Sequence, residues 1–143
     1  MERRKLEKLV QPVFRRHGGV IVAYLFGSRA RGEARPGSDV DFAVLFESPS
    51  LDAYRTLWSD LHGVLSPLAF DLVELNGADP VLSFDVIREG KPVFFRTAEE
   101  LNEFERRAWH RYQDTRQLRA IGDLYLEERA RGWSSSKSPS AND

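Results

Sequence analysis

The chain has 143 residues, 41% hydrophobic and 11% aromatic, a composition that suits one soluble globular domain with a single core rather than a disordered segment. Its formal net charge is −1, from 21 basic and 22 acidic residues, so no global field favours nucleic acid or a membrane surface. There is no cysteine, which excludes disulfides, thiolate metal sites and a cysteine nucleophile, and the three histidines lack ligand-like spacing.

In chain order, residues 2 to about 17 predict an amphipathic helix with Leu6, Leu9, Val10, Val13 and Phe14 on one face. "RRHGG" predicts its stop, with basic side chains at the negative helix end and a glycine free to take a left-handed cap. Val20–Phe26 reads as a strand rich in β-branched and aromatic residues. "GSRARGEARPGS" is a long connection with room for a short helix opening at Ser28, and Asp39–Phe46 is a second strand.

Leu51–Leu65, bounded by serine and proline, predicts a helix whose Trp58, Leu61 and Leu65 belong to the core. A third strand covers Ala69–Leu75, with Asp71, Val73 and Leu75 on one face. A short helix follows, capped by Asp79 with Pro80 at its first position, and then an edge strand at "PVFF". The capping-box pattern from Thr97 to Glu100 opens a long terminal helix, about residues 97–130, with Gly122 as a candidate break and with Trp109 and Tyr112 read as core or partner-facing, core being preferred. "RRAWHRY" is read as a surface stretch of that helix. Residues 133–143 have no core-forming capacity and are expected to be a flexible tail, leaving 1–132 as one domain. No segment suits a signal peptide or a membrane span, so the expected compartment is the cytoplasm. The element order implies an α/β (α+β) fold, a small mixed sheet flanked by helices.

The informative stretch is "YLFGSRARGEARPGSDVDFAVLF". Residues two apart on a strand share a face, so Asp39 and Asp41 point together while Val40 and Phe42 enter the opposite side. Carboxylates this close repel, and a divalent cation relieves them; oxygen-only ligands favour magnesium or manganese. Asp71, alone in an apolar strand, is the natural third ligand if its strand lies alongside, and is the candidate base for an acceptor hydroxyl. Gly27 permits a tight turn and close approach of substrate. A helix opening at Ser28 would offer N–H groups to phosphate, and the Ser28 hydroxyl adds a donor. Arg29, Arg31 and Arg35 supply cationic forks for a polyphosphate, with Gly32 and Gly37 keeping the loop pliable. Phosphate donors beside metal-binding carboxylates imply phosphoryl or nucleotidyl transfer.

Gly27-Ser28, ten intervening residues, then Asp39-Val40-Asp41 resembles the signature of the DNA polymerase β-like nucleotidyltransferase superfamily, and "FGSRARGEARPGSDVDFAV" resembles its minimal nucleotidyltransferase branch. The small size and terminal helix are similar to the MntA-type antitoxins that pair with HEPN-domain ribonuclease toxins. The resemblance implies two magnesium ions held by Asp39, Asp41 and Asp71, ATP as donor, and AMP transfer to a hydroxyl, in that branch a toxin tyrosine. It implies a hetero-oligomer with a HEPN-type toxin, with no direct nucleic-acid or membrane binding expected. Two other readings stay open: a binding antitoxin or regulator of the same fold without catalysis, and a nucleotidyltransferase acting on a small-molecule hydroxyl such as an antibiotic.

Overall fold

A computed structural model describes residues 2–27 and 40–136. Its elements run α1 (Arg3–Arg16), β1 (Val20–Phe26), β2 (Val40–Phe46), α2 (Leu51–Leu65), β3 (Phe70–Glu74), α3 (Pro80–Glu89), β4 (Lys91–Phe95) and α4 (Ala98–Ser136). The chain divides into two units, Met1–Trp109 and His110–Asp143.

The first unit is built on a four-stranded sheet in the order β3-β2-β1-β4. β1 runs antiparallel to both β2 and β4, whereas β2 and β3 are parallel, joined through α2. Strand alternation sends side chains to two cores. On one face Ala23, Leu25, Val40, Phe42, Val44 and Leu72 pack with α1 and α2. On the other, Val22, Tyr24, Ala43 and Leu75 pack with Val86 of α3, with Leu101 and Phe104 of α4 against them. A sheet covered on both faces explains why its central strands are apolar almost throughout.

Local chemistry accounts for most boundaries. Ser50 caps α2 by accepting from the Ala53 N–H at 3.0 Å, and Asp79 caps α3 by accepting from the Leu82 N–H at 2.9 Å, with Pro80 at the first helical position. Thr97 accepts from the Glu100 N–H at 3.1 Å to open α4. Pro12 sits inside α1, where it costs about 3 kcal/mol. Burying Leu6, Val10, Val13 and Phe14 at roughly 2 kcal/mol each outweighs that. Where β3 ends, Asn76 extends its pairing: the Phe46 N–H donates to Oδ1 at 2.9 Å, and Nδ2 donates to the Phe46 carbonyl at 2.7 Å.

Several expectations need correction. α1 does not end on a left-handed glycine: His17 is its extended C-cap, its N–H donates to the Phe14 carbonyl, and its ring hydrogen-bonds Asp60 at 2.7 Å. That ring contact ties the end of α1 to α2. Trp58 is not core; it is 40% exposed, stacked on His62 with ring centroids 5.1 Å apart. Trp109 is 46% exposed and lies against Phe84. Both rings occupy the margin of a helix's apolar face, where one edge packs and the other meets water.

The described part of the second unit is helix throughout, His110–Ser136. Gly122 does not interrupt it; a single glycine costs about 1 kcal/mol in a helix interior, too little to break one with good formers on both sides. Tyr112 is half-buried rather than core, with the Arg119 guanidinium 3.9 Å from its ring centre.

Candidate active site

The register across the sheet aligns the acidic positions. Phe26 on β1 lies opposite Asp41 on β2, and Asp41 lies opposite Asp71 on β3. Parallel partners point to the same face, so the two carboxylates project side by side from backbones about 4.8 Å apart. Asp41 shares its face with Ala43, and Asp71 shares its face with Val73 and Leu75; Val40 and Phe42 enter the core opposite. Asp71 is exposed and Asp41 half-buried. The expectation that Asp71 stands next to the second strand's acidic pair is therefore met for Asp41.

Gly27 closes one side of this arrangement. It is the residue after β1, with φ of +82°, a conformation that favours glycine. A Cβ there would meet Asp41 Oδ2 at 2.5 Å, so the carboxylate occupies the space that a side chain would fill. The end of α3 also packs close: a Cβ at Gly90 would meet the Leu25 carbonyl at 3.1 Å and Phe26 Cβ at 3.3 Å. The backbone at the end of β1 is thus held on both sides.

Ser28, Arg29, Arg31, Gly32, Arg35, Gly37 and Asp39 lie outside the described residues. Among the described residues no group of three histidine, aspartate or glutamate side chains converges to hold a metal. What the structure brings together is the pair Asp41 and Asp71, backed by Gly27. Two aligned carboxylates, one pressed against a glycine cradle, form an all-oxygen donor set that suits a hard divalent cation, which would also relieve their mutual repulsion.

Reading the sequence alone misses one contact behind the site. Tyr24, fully buried on the site-facing side of β1, donates its hydroxyl to Glu105 Oε2 at 2.5 Å. Burial first, then the hydrogen bond and charge of Glu105, push the Tyr24 hydroxyl well above the ordinary tyrosine range. The available signal is Glu105 itself, a carboxylate directly after Phe104 on the face of α4 that packs on the sheet. At the opposite end of the sheet, Arg96 donates to the Gly18 carbonyl at 3.1 Å, to Glu47 at 2.5 Å and to both Glu100 oxygens. These partners hold the Arg96 guanidinium above its ordinary range and the Glu100 carboxyl below its own. A cavity of about 400 Å³ also lies at that end, lined by Gln11, Arg15, His17, Phe94 and Arg96, away from the carboxylates.

The family model described as "Polymerase beta, Nucleotidyltransferase" matches residues 7–99, and the chain belongs to this family. The match spans every strand of the sheet and both carboxylates. Among curated proteins, the chain is 31% identical over 93 residues to "Protein adenylyltransferase MntA" of Aphanizomenon flos-aquae (strain 2012/KM1/D3), covering 58% of this chain and 62% of that one. The chain thus spans less than two thirds of the length of that relative. Among solved structures, a toxin–antitoxin crystal structure with AMP-PNP is similar at a TM-score of 0.71 and 28% identity, covering 84% of this chain and 98% of the other. A tri-AMPylated Shewanella oneidensis HEPN toxin in complex with MNT antitoxin is similar at a TM-score of 0.67 and 26% identity, covering 86% and 98%. The first unit alone is 109 of 143 residues, or 76%, so both alignments extend beyond Trp109.

Proposed function

We propose that this chain is a magnesium-dependent protein adenylyltransferase that moves AMP from ATP onto a tyrosine hydroxyl of a HEPN-type toxin, and so acts as its antitoxin in the cytoplasm. The observation that carries the reading is the register of Asp41 with Asp71 against the Gly27 cradle. Membership of the nucleotidyltransferase family and likeness to antitoxins crystallised with their toxins support it.

In this reading Asp39, Asp41 and Asp71 hold the magnesium, which when bound offsets the charge of the triphosphate and of the leaving pyrophosphate. Gly27, lacking a side chain, makes room for the Asp41 carboxylate and with Ser28 would hold the phosphates. Ser28, Arg29 and Arg31 bind the β- and γ-phosphates. Asp71, the exposed carboxylate, receives the proton of the acceptor hydroxyl. The hydroxyl oxygen then bonds to the α-phosphorus, the bond from that phosphorus to the bridging oxygen breaks, and pyrophosphate departs with the electron pair. Tyr24 and Glu105 keep β1 seated on α4 so that Gly27 and Asp41 hold their spacing.

The test is incubation of the full chain with ATP, magnesium and its HEPN-type partner, followed by intact-mass analysis of both proteins. The reading expects whole AMP units on the partner, absent with Asp41→Asn or Asp71→Asn. Neutralisation of the toxin by these variants without any added mass would instead make the chain a binding antitoxin.

A further inference from the structure

The family match ends at residue 99, two residues into α4, so nearly all of α4 lies beyond the matched domain. Within the second unit, Leu118, Ile121, Leu124, Tyr125 and Leu126 are each between 56% and 70% exposed. At 100° per residue they occupy a sector about 200° wide over about 12 Å of helix. The remaining sector carries Arg116, Arg119, Asp123 and Glu127. An amphipathic helix normally turns such a face to a core; here five large apolar side chains stand in water. Their exposed area, on the order of 500 Å², is at the upper end of what a free monomer presents.

From this face we infer that α4 is a docking helix, and that residues 118–126 seat in an apolar groove between helices of the toxin that the catalytic unit modifies. The inference rests on the function proposed above and adds the surface that selects the partner. Two observations choose the occupant. A self-zipper would need an apolar repeat sustained over several heptads, yet one heptad step from Ile121 places Glu128 and one from Leu118 towards the N-terminus places Arg111. The patch also falls short of the roughly 800 Å² per partner that a stable dimer buries, so α4 needs a partner that makes further contacts elsewhere. A toxin whose hydroxyl must also reach Asp71 makes that second contact by necessity, and the two contacts reinforce each other. Both toxin–antitoxin structures align past Trp109, so their likeness to this chain continues into α4 beyond the first unit.

The experiment compares the full chain with Leu118→Glu/Ile121→Glu/Tyr125→Glu and with the same three positions changed to alanine. Alanine is the best helix former, so the second variant removes the face while retaining the helix. Asp123→Lys on the polar sector is the control. Binding to the purified HEPN-type partner should weaken at least 30-fold in both triple variants and less than threefold in the control. The KM for the partner should rise in parallel while kcat stays within twofold, because the carboxylates are untouched. Triple variants that bind within threefold of wild type and still receive normal AMP transfer would overturn the docking inference and leave the proposed function standing. A wild-type dimer in sedimentation that the alanine variant dissolves would overturn it in favour of a second copy. A wild-type chain that neither binds the partner nor modifies it would overturn both.

Discussion

Changing Gly27 to alanine separates holding the fold from holding the site. The added Cβ would lie 2.5 Å from Asp41 Oδ2, whereas ordinary contact begins at 3.4 Å, so about 0.9 Å must be recovered (3.4 − 2.5). The obstacle is the far end of a side chain, which can rotate aside, so the steric cost to stability is small. The backbone cost of alanine at φ of +82° adds about 1–2 kcal/mol. The melting temperature should therefore fall by about 3–10 °C, at roughly 3–5 °C per kcal/mol for a chain of this size. The functional cost is larger, because Asp41 moves by nearly 1 Å relative to Asp71, and a displacement of that size costs on the order of 10²-fold in rate. Manganese binding followed by electron paramagnetic resonance, with a thermal melt on the same sample, reads both. A variant that melts as expected but binds manganese and transfers AMP like wild type would refute the cradle. So would one that fails to fold, since the carboxylate would then have had nowhere to go.

Three further outcomes follow from other contacts. Tyr24 keeps its proton in the folded protein well above its ordinary value of 10.0, so its contribution is complete below pH 10 and is lost as pH rises past it. Urea unfolding of wild type against Tyr24→Phe should show wild type losing about 1.4 kcal/mol more per pH unit above pH 10, and parallel curves would count against a retained proton. The Ser83 hydroxyl is buried without a partner among the described residues, so Ser83→Ala should leave the melting temperature unchanged or raise it by an amount worth about 1 kcal/mol; a marked fall would reveal a partner. Asn76→Ala should cost about 1–3 kcal/mol by chemical denaturation because it strips both groups of Phe46, and Asn76→Asp should cost at least as much, since a carboxylate oxygen replaces the amide donor that faces the Phe46 carbonyl.

Interactions that are local in the chain were legible from residues alone. Ser50, Asp79 and Thr97 announce helix starts because a side-chain oxygen reaches an N–H only three residues on, and Pro80 fits where no N–H is needed. The alternation through Val40–Phe46 assigned Asp41 to one face and Phe42 to the other for the same reason. The Gly-Ser and Asp-Val-Asp spacing named the family that the match over residues 7–99 bears out. The exposure of Trp58 and Trp109 and the unbroken helix at Gly122 are not legible in the sequence because each depends on what stands opposite: helical spacing cannot say where an apolar face ends, nor whether neighbours carry a helix across a glycine. Only the tertiary structure set Asp41 beside Asp71, because a parallel register is chosen by the packing of β2 and β3 on α2 rather than by either strand. Only it paired Tyr24 with Glu105, 81 positions apart, since a contact between distant segments leaves no period for a sequence to display.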